Sequence, residues 1–383
     1  MKIALLASIF LLSSISAQAT GADPERLVRI GHAAPISSRT GLAPAALDSE
    51  RGAQLAVDEL NARALRVGDE NVHFELVRED DRANSNTAIE VAKRLVDAKA
   101  VGVVGHLNSG MSIRASDIYA SAGIPQITPS GTNPTFTRRG LKTTFRVIAD
   151  DDHVMQGFGQ YTVKTLGLHR VTILDAGDDY SKGITAPFSA GVQRAGGLIV
   201  SRASVDTKAT DHAGLISKLA ESNPDLIFFG GFDGVAGKLL IEMKQAGITA
   251  AFAGPDALCS VELMKLSQGT ASQRKTVCAE AGGVLQDMQP RLDQFNADFF
   301  KKYSAKPLQY AKHSFDAVNV LVDAMLRAQS IDPAVYIRQL TKTVAYPGVI
   351  GPISFDEKGD LVNGMISIYT YGLNGRELLE VIR

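Results

Sequence analysis

The sequence predicts an α/β chain folded as two doubly wound lobes, each a parallel sheet with helices on both faces. Three observations predict it. Apolar runs of strand length alternate with stretches of helical spacing along nearly the whole chain, as parallel sheets require. The 383 residues suggest two units, at ~100–200 residues per domain. Apolar residues at 45% and charged residues at 21% give the balance of an ordinary globule with real cores.

Leu27–Ala34 reads as the first strand, followed by a helix over Ser49–Ala64, where Ala53, Leu55, Ala56, Val57, Leu60 and Ala64 fall largely on one side. Val72–Val77 alternates faces as a strand. Thr87–Ala98 is a helix, Val101–Gly105 a short buried strand, and Ser112–Ala122 a helix stopped by Gly123. Ile124–Thr128 is a strand. The alternation resumes with Val171–Leu174, Ser181–Ala195, Leu198–Val205, Ala213–Ala220, Leu226–Gly230, Val235–Ala246 and Ala251–Ala253. Helices follow at Arg291–Tyr303 and Ser314–Ala328, then Ile353–Phe355, a turn at Glu357–Asp360, and Met365–Tyr371. The join between lobes is expected near Phe145–Asp152, where a strand runs into Asp150-Asp151-Asp152.

The start of the chain differs from the rest. Lys2 precedes an apolar run from Ile3 to Leu12, then Ser13, Ser14, Ser16 and Ala17-Gln18-Ala19. This is the pattern of a secretory signal cut after Ala19, and the run is shorter than the ~20 residues a membrane span needs. Export is expected, without a lipid anchor, since no Cys lies near the cut. The net charge of -1 argues against a nucleic-acid partner. Export permits a disulfide between the two cysteines, Cys259 and Cys278. Its loop of roughly 18 residues would add ~3 kcal/mol in the chain-entropy model; two buried thiols are the alternative.

In open parallel sheets, ligands sit beyond the carboxyl ends of the strands. Two loops stand out there: Gly105-His106-Leu107-Asn108-Ser109-Gly110 and Thr128-Pro129-Ser130-Gly131-Thr132-Asn133-Pro134. Helix N-terminal amides and hydroxyls suit a carboxylate, so Ser109 and Thr132 are candidates to hold one without Arg. Plain capping by Ser109 or Ser112 and turn chemistry are the competing account. His106 reads as a hydrogen-bonded structural residue, and Glu79-Asp80-Asp81 as a solvated strand end. No nucleophile elbow, zincin, Cys-x-x-Cys or Walker motif occurs, and Ser272–Lys275 matches Ser-x-x-Lys without its companion motifs. No enzyme, metal site or cofactor is expected.

Gly105–Ser109, Ala115-Ser116-Asp117-Ile118-Tyr119, Gly123-Ile124 to Ile127-Thr128-Pro129 and Gly351–Asp360 carry a resemblance to the leucine/isoleucine/valine-binding protein family. Asp179–Gly183 and Phe229–Phe232 extend it over essentially the mature chain. The resemblance implies the type I periplasmic binding protein fold, two lobes joined by a three-crossing hinge. Expected boundaries are 26–149 plus 280–352 for the first lobe and 150–279 plus 353–383 for the second. It implies Ser109 and Thr132 on a ligand carboxylate, the Ser130 carbonyl and Asp256 on its ammonium, and Tyr180, Phe232 and Tyr310 as aromatic walls. Leu107, Asn108 and Gly131 complete the expected contacts. A subgroup similar to this chain has the Cys259–Cys278 disulfide. Ser37–Leu42 departs from the usual loop, and Phe232 replaces a frequent Tyr. The resemblance implies the periplasm as the destination, and a monomeric receptor that passes a branched-chain amino acid to an inner-membrane ABC permease. The alternative is a receptor on the same fold for an amide, urea or aromatic acid. Asp256 favours a zwitterion, because a plain acid would leave its charge unpaired.

Overall fold

The apolar runs pair into two separate sheets. The computed structural model describes residues 25–37, 42–177, 179–209, 211–260 and 262–383. The signal-like segment 1–19, and Ser38 to Gly41 of the departing loop, lie outside them. Among the described residues, the first sheet has six strands in the order Arg66–Val67, Glu70–Asp80, Arg26–Ala34, Gly102–Gly105, Gln126–Thr128, Thr144–Arg146. Its pairs are parallel apart from the outer hairpin of Arg66–Val67 with Glu70–Asp80. The second has seven, in the order Gly375–Ile382, Ile366–Gly372, Thr276–Ala281, Ala251–Gly254, Leu226–Gly230, Arg170–Asp175, Leu198–Ser204. Its last five are parallel, and Ile366–Gly372 and Gly375–Ile382 add an antiparallel hairpin.

Side-chain alternation explains the double-faced packing. In Leu226–Gly230, Leu226 and Phe228 enter one apolar cluster while Ile227 and Phe229 enter the other, so both faces are buried. Phe228 stacks on Phe188 at 3.7 Å and 13°. In the first lobe, Val28, Ile30 and Phe74 pack with Ala53, Val57 and Leu60 of the helix Ala43–Ala62 and Val318 and Leu321 of the helix Ala311–Ala328. The first of these helices starts six residues before the expected Ser49. Its early turn carries the buried Asp48, which accepts the amides of Leu308, Tyr310 and Ala311 at 2.7, 2.9 and 2.8 Å. Burial raises the Asp48 carboxyl above its ordinary range despite those amides. The two cysteines form a disulfide with Cα atoms 5.5 Å apart.

The chain passes between the sheets three times among the described residues: after Arg146, after Ala281 and before Ile366. The acidic run is the first passage. Asp150 caps the helix Asp151–Lys164 through the amide of His153 at 2.7 Å, and Val154, Met155 and Phe158 of that helix join the second core. The third passage falls later than the expected boundary at Ile353. Ile353 and Phe355 are buried in the first core, and Phe355 bridges to Leu361, so residues through Leu361 stay with the first lobe. The cause is Asp360, which reaches back to Arg146.

Arg146 has no solvent exposure. Its guanidinium donates to Asp360 at 2.6 Å, to the carbonyls of Gly131 at 2.6 Å and Asn133 at 3.0 Å, and to Thr137 Oγ1 at 2.9 Å. Thr137 Oγ1 also donates to Asp360 at 2.6 Å. Removing one member of such a buried pair strands the other. Arg146→Met is expected to cost ~3–5 kcal/mol, read as a lower urea midpoint; a loss under ~1 kcal/mol would show that the pair is dispensable.

Candidate functional site

The ends of the parallel strands place the predicted residues. In the first lobe, Gly105 and Thr128 end neighbouring strands, so the loops that follow lie side by side. Their contacts are mutual. Ser130 Oγ donates to the Leu107 carbonyl at 2.6 Å, and the Asn133 amide donates to Ser109 Oγ at 3.3 Å. The Gly131 amide donates to Thr128 Oγ1 at 2.8 Å, where a Cβ on Gly131 would lie 2.8 Å from the same oxygen. Leu107 turns its side chain inward onto Ala34 and Ala46, so only its backbone faces the loop junction. Tyr310 packs at the edge of that cluster.

Capping does not account for the two serines. The helix Ser109–Ser121 has Asn108 at its cap position, with no side-chain capping bond. Ser112 Oγ instead donates to the His106 carbonyl at 2.8 Å. Ser109 is the first helical residue and half-buried, beside the free helix amides. Asn108 Oδ1 is buried without a protein partner.

His106 is the structural residue expected, but its partner corrects another expectation. Its Nδ1 lies 2.7 Å from Asp81 and its Nε2 3.2 Å from the Tyr119 hydroxyl, all buried. Asp81 is therefore not part of a solvated strand end. Glu79 is likewise engaged, by Arg94 at 2.6 Å.

The second lobe contributes from the same kind of edge. Phe232 follows the strand Leu226–Gly230, Asp256 follows Ala251–Gly254, and Tyr180 lies in the helix after Arg170–Asp175. Tyr180 donates its hydroxyl to Asp256 at 3.1 Å and stacks on Phe232 at 5.2 Å and 25°. Phe232 is 55% exposed, so the stack shows one aromatic face to solvent.

Asp151 belongs to this site and was read from the sequence only as part of a join. It starts the helix Asp151–Lys164, its amide donates to the Thr132 carbonyl at 2.9 Å, and its carboxylate bonds the Thr132 side chain. Burial first, then the charge of Asp256 on the same lobe, push its carboxyl up to about 7, against the Thr132 bond and Arg146. Burial also raises Asp256, partly offset by the Tyr180 hydroxyl. Solvent reaches Asp256, which limits that rise. Tyr310, on the first lobe, is raised by burial and then by Asp256. The two lobes thus face each other with neutral donors on one side and two carboxylates in mutual range. A surface hollow of ≈ 480 Å³ near Arg202, His212 and Lys218 contains none of these residues.

A periplasmic binding protein family model matches residues 27–371. The chain is 32% identical to the Leu/Ile/Val-binding protein homolog 2 of Brucella abortus, over 81% of this chain and 82% of that one. It is 30% identical to an amino acid binding protein of Pseudomonas aeruginosa, over 85% and 86%. An ABC transporter substrate-binding protein of Desulfitobacterium hafniense, solved in complex with Leu, superposes with a TM-score of 0.77 at 26% identity, covering 92% of this chain and all of the other.

The Asp151 carboxyl gives a test of this geometry. A carboxyl raised in the folded state contributes stability in full below its unfolded value of 3.8, and loses it as pH rises toward about 7. Asp151→Asn is therefore expected to gain stability relative to the parent as pH increases from ~4 to ~8. Urea midpoints at both pH values check it; a constant difference would remove Asp151 from the acidic pair.

Proposed function

The chain belongs to the periplasmic binding protein family, and from that premise we propose that it is a receptor for a branched-chain amino acid. It takes the ligand between its two lobes and delivers it to an inner-membrane ABC permease. It works as an exported monomer in the periplasm, by binding rather than catalysis. The observation that carries the reading is the division of charge across the cleft. Ser109, Thr132 and helix amides offer neutral donors to a carboxylate, while Asp256 and Asp151 offer negative charge to an ammonium. The Ser130 carbonyl adds an acceptor. Leu107, Asn108 and Gly131 shape the first-lobe wall, and Tyr180, Phe232 and Tyr310 surround the side chain.

Both ligand charges are paired only when the lobes meet, so binding favours the closed form. The lobes comprise 26–149 with 280–361 and 150–279 with 362–383, the segment through Leu361 being docked on the first. Relatives named for Leu/Ile/Val and a neighbour holding Leu support the ligand class. The half-exposed Tyr180–Phe232 stack favours a second reading, a receptor for an aromatic acid. Two carboxylates count against it, since an acid without an ammonium leaves both uncompensated.

Thermal unfolding of the ligand-stripped protein separates the two. L-leucine, L-isoleucine or L-valine at ~1,000 times the dissociation constant is expected to stabilise the fold by ~4 kcal/mol. Stabilisation by an aromatic acid alone overturns the amino-acid reading. Asp256→Ala is expected to abolish the leucine shift at concentrations that saturate the parent, leaving only weak binding at far higher leucine, while unfolding cooperatively in the free state; a retained shift would remove Asp256 from the ammonium site. Leucine binding near pH 6 should also release protons, because a nearby ammonium favours ionised Asp151, whose carboxyl is pushed up to about 7. Calorimetry in buffers of differing ionisation enthalpy measures that release, and none is seen if the ammonium sits elsewhere.

A further inference from the structure

Asp256 sits on a weak support. It opens a three-residue 3₁₀ turn, Asp256–Leu258, with no side-chain cap. Its own carboxylate is spent on the Ala257 amide at 2.9 Å and the Tyr180 hydroxyl. A carboxylate that must meet a ligand at a fixed point needs its backbone held from outside, and the turn is held with unusual completeness. Three consecutive carbonyls after Asp256 are each taken by a side chain of the C-terminal hairpin. Tyr371 donates its hydroxyl to Leu258 and, at 3.0 Å, to Ser260. Arg376 donates to Cys259 at 2.8 Å. Tyr371 and Arg376 are direct cross-strand partners, so one rung of the hairpin makes all three contacts. The Cys259 sulfur is meanwhile bonded to Cys278, whose strand position lies opposite Gly254 and Tyr369.

Arg376 has a second task. The same nitrogen that holds the Cys259 carbonyl pairs with Glu280, and the guanidinium lies 4.2 Å above the Tyr369 ring. Glu280 is two residues beyond Cys278 and close enough to Asp256 for their charges to interact. The charged and titratable groups facing Asp256 are Glu280, Tyr180 and Asp151 on its own lobe, and Tyr310 from across the cleft. By pairing with Glu280, Arg376 leaves Asp256 and Asp151 as the carboxylates of this lobe that are open to a cation.

We infer that Arg376, acting with the Cys259–Cys278 disulfide, is a positioning residue for the ligand's ammonium. It touches no ligand and works through Asp256. The inference rests on the amino-acid reading above and deepens it by joining the cationic subsite to the C-terminal hairpin.

The test is a double-mutant cycle on the full chain, with L-leucine as the probe and affinity measured by titration calorimetry. The four proteins are the parent, Arg376→Met, Asp256→Asn and the pair. Arg376→Met is expected to weaken leucine binding by about tenfold with Asp256 present, the equivalent of ~1.4 kcal/mol. In the Asp256→Asn background the same change is expected to cost less than about twofold. Arg376→Lys keeps the charge and is expected to recover most of the affinity. Equal losses in both backgrounds would make Arg376 a general structural residue and overturn the inference, as would no loss at all. If Arg376→Met does not fold, the cycle is run with Cys259→Ser/Cys278→Ser, which severs the sulfur anchor of the same turn and is expected to show the same coupling. A parent that binds no leucine sinks the amino-acid reading and this inference with it, whereas a parent that binds with an additive cycle sinks this inference alone.

Discussion

The buried guanidinium of Arg146 is the constraint from which the first half of the site follows. The loop after Thr128 must leave the sheet to reach the cleft, and its carbonyls then have no strand to pair with. Buried carbonyls need donors, and Arg146 supplies them to Gly131 and Asn133 from the end of the adjacent strand. Its charge in turn demands a carboxylate, which arrives from far along the chain as Asp360. One ion pair therefore sets the path of the loop after Thr128 and pins the third passage to the first lobe. A lysine could not do this, since the work needs several donors spread in a plane.

The cleft follows a different logic. Its first-lobe wall is neutral and preorganised, with the hydroxyls and amides of neighbouring loops bonded to one another. The opposite side holds Asp256 and, at the passage between lobes, Asp151, two charges that oppose each other until a cation lies between them. Both carboxylates belong to the second lobe, so their mutual repulsion is present whether the lobes are apart or together.

Much of this architecture was legible in the sequence because both signals were local. Strands such as Leu226–Gly230 and helices such as Ala311–Ala328 announce themselves by periodicity. The loops at Gly105 and Thr128 stand out by composition and by their place after strands. Elements whose logic is distant were missed. Thr276–Ala281 carries Thr, Cys and Glu and is a strand because it fills the gap between Ala251–Gly254 and Ile366–Gly372. Gly375–Ile382 is an edge strand with much of its length exposed, so it lacks the apolar face that periodicity detects. The helix Asp151–Lys164 hid behind its acidic start, where three aspartates look alike. Asp150 caps the helix and shares Arg138 with Asp152, while Asp151 bonds Thr132 and lies in charge range of Asp256. Asp81 was misjudged for the same reason: its partner His106 lies 25 residues away, and only the sheet brings them together.

The late third passage has a mechanical consequence. With the chain docked on one lobe through Leu361 and resuming as a strand of the other at Ile366, the link is a five-step tether. Fully extended it reaches about 18 Å. The first passage, from Arg146 to the helix at Asp151, is equally short. Two straps of that length let the halves swing like the covers of a book held at its spine. They hold the two covers within that reach of each other along one edge, so any change in their spacing must be a rotation about that edge.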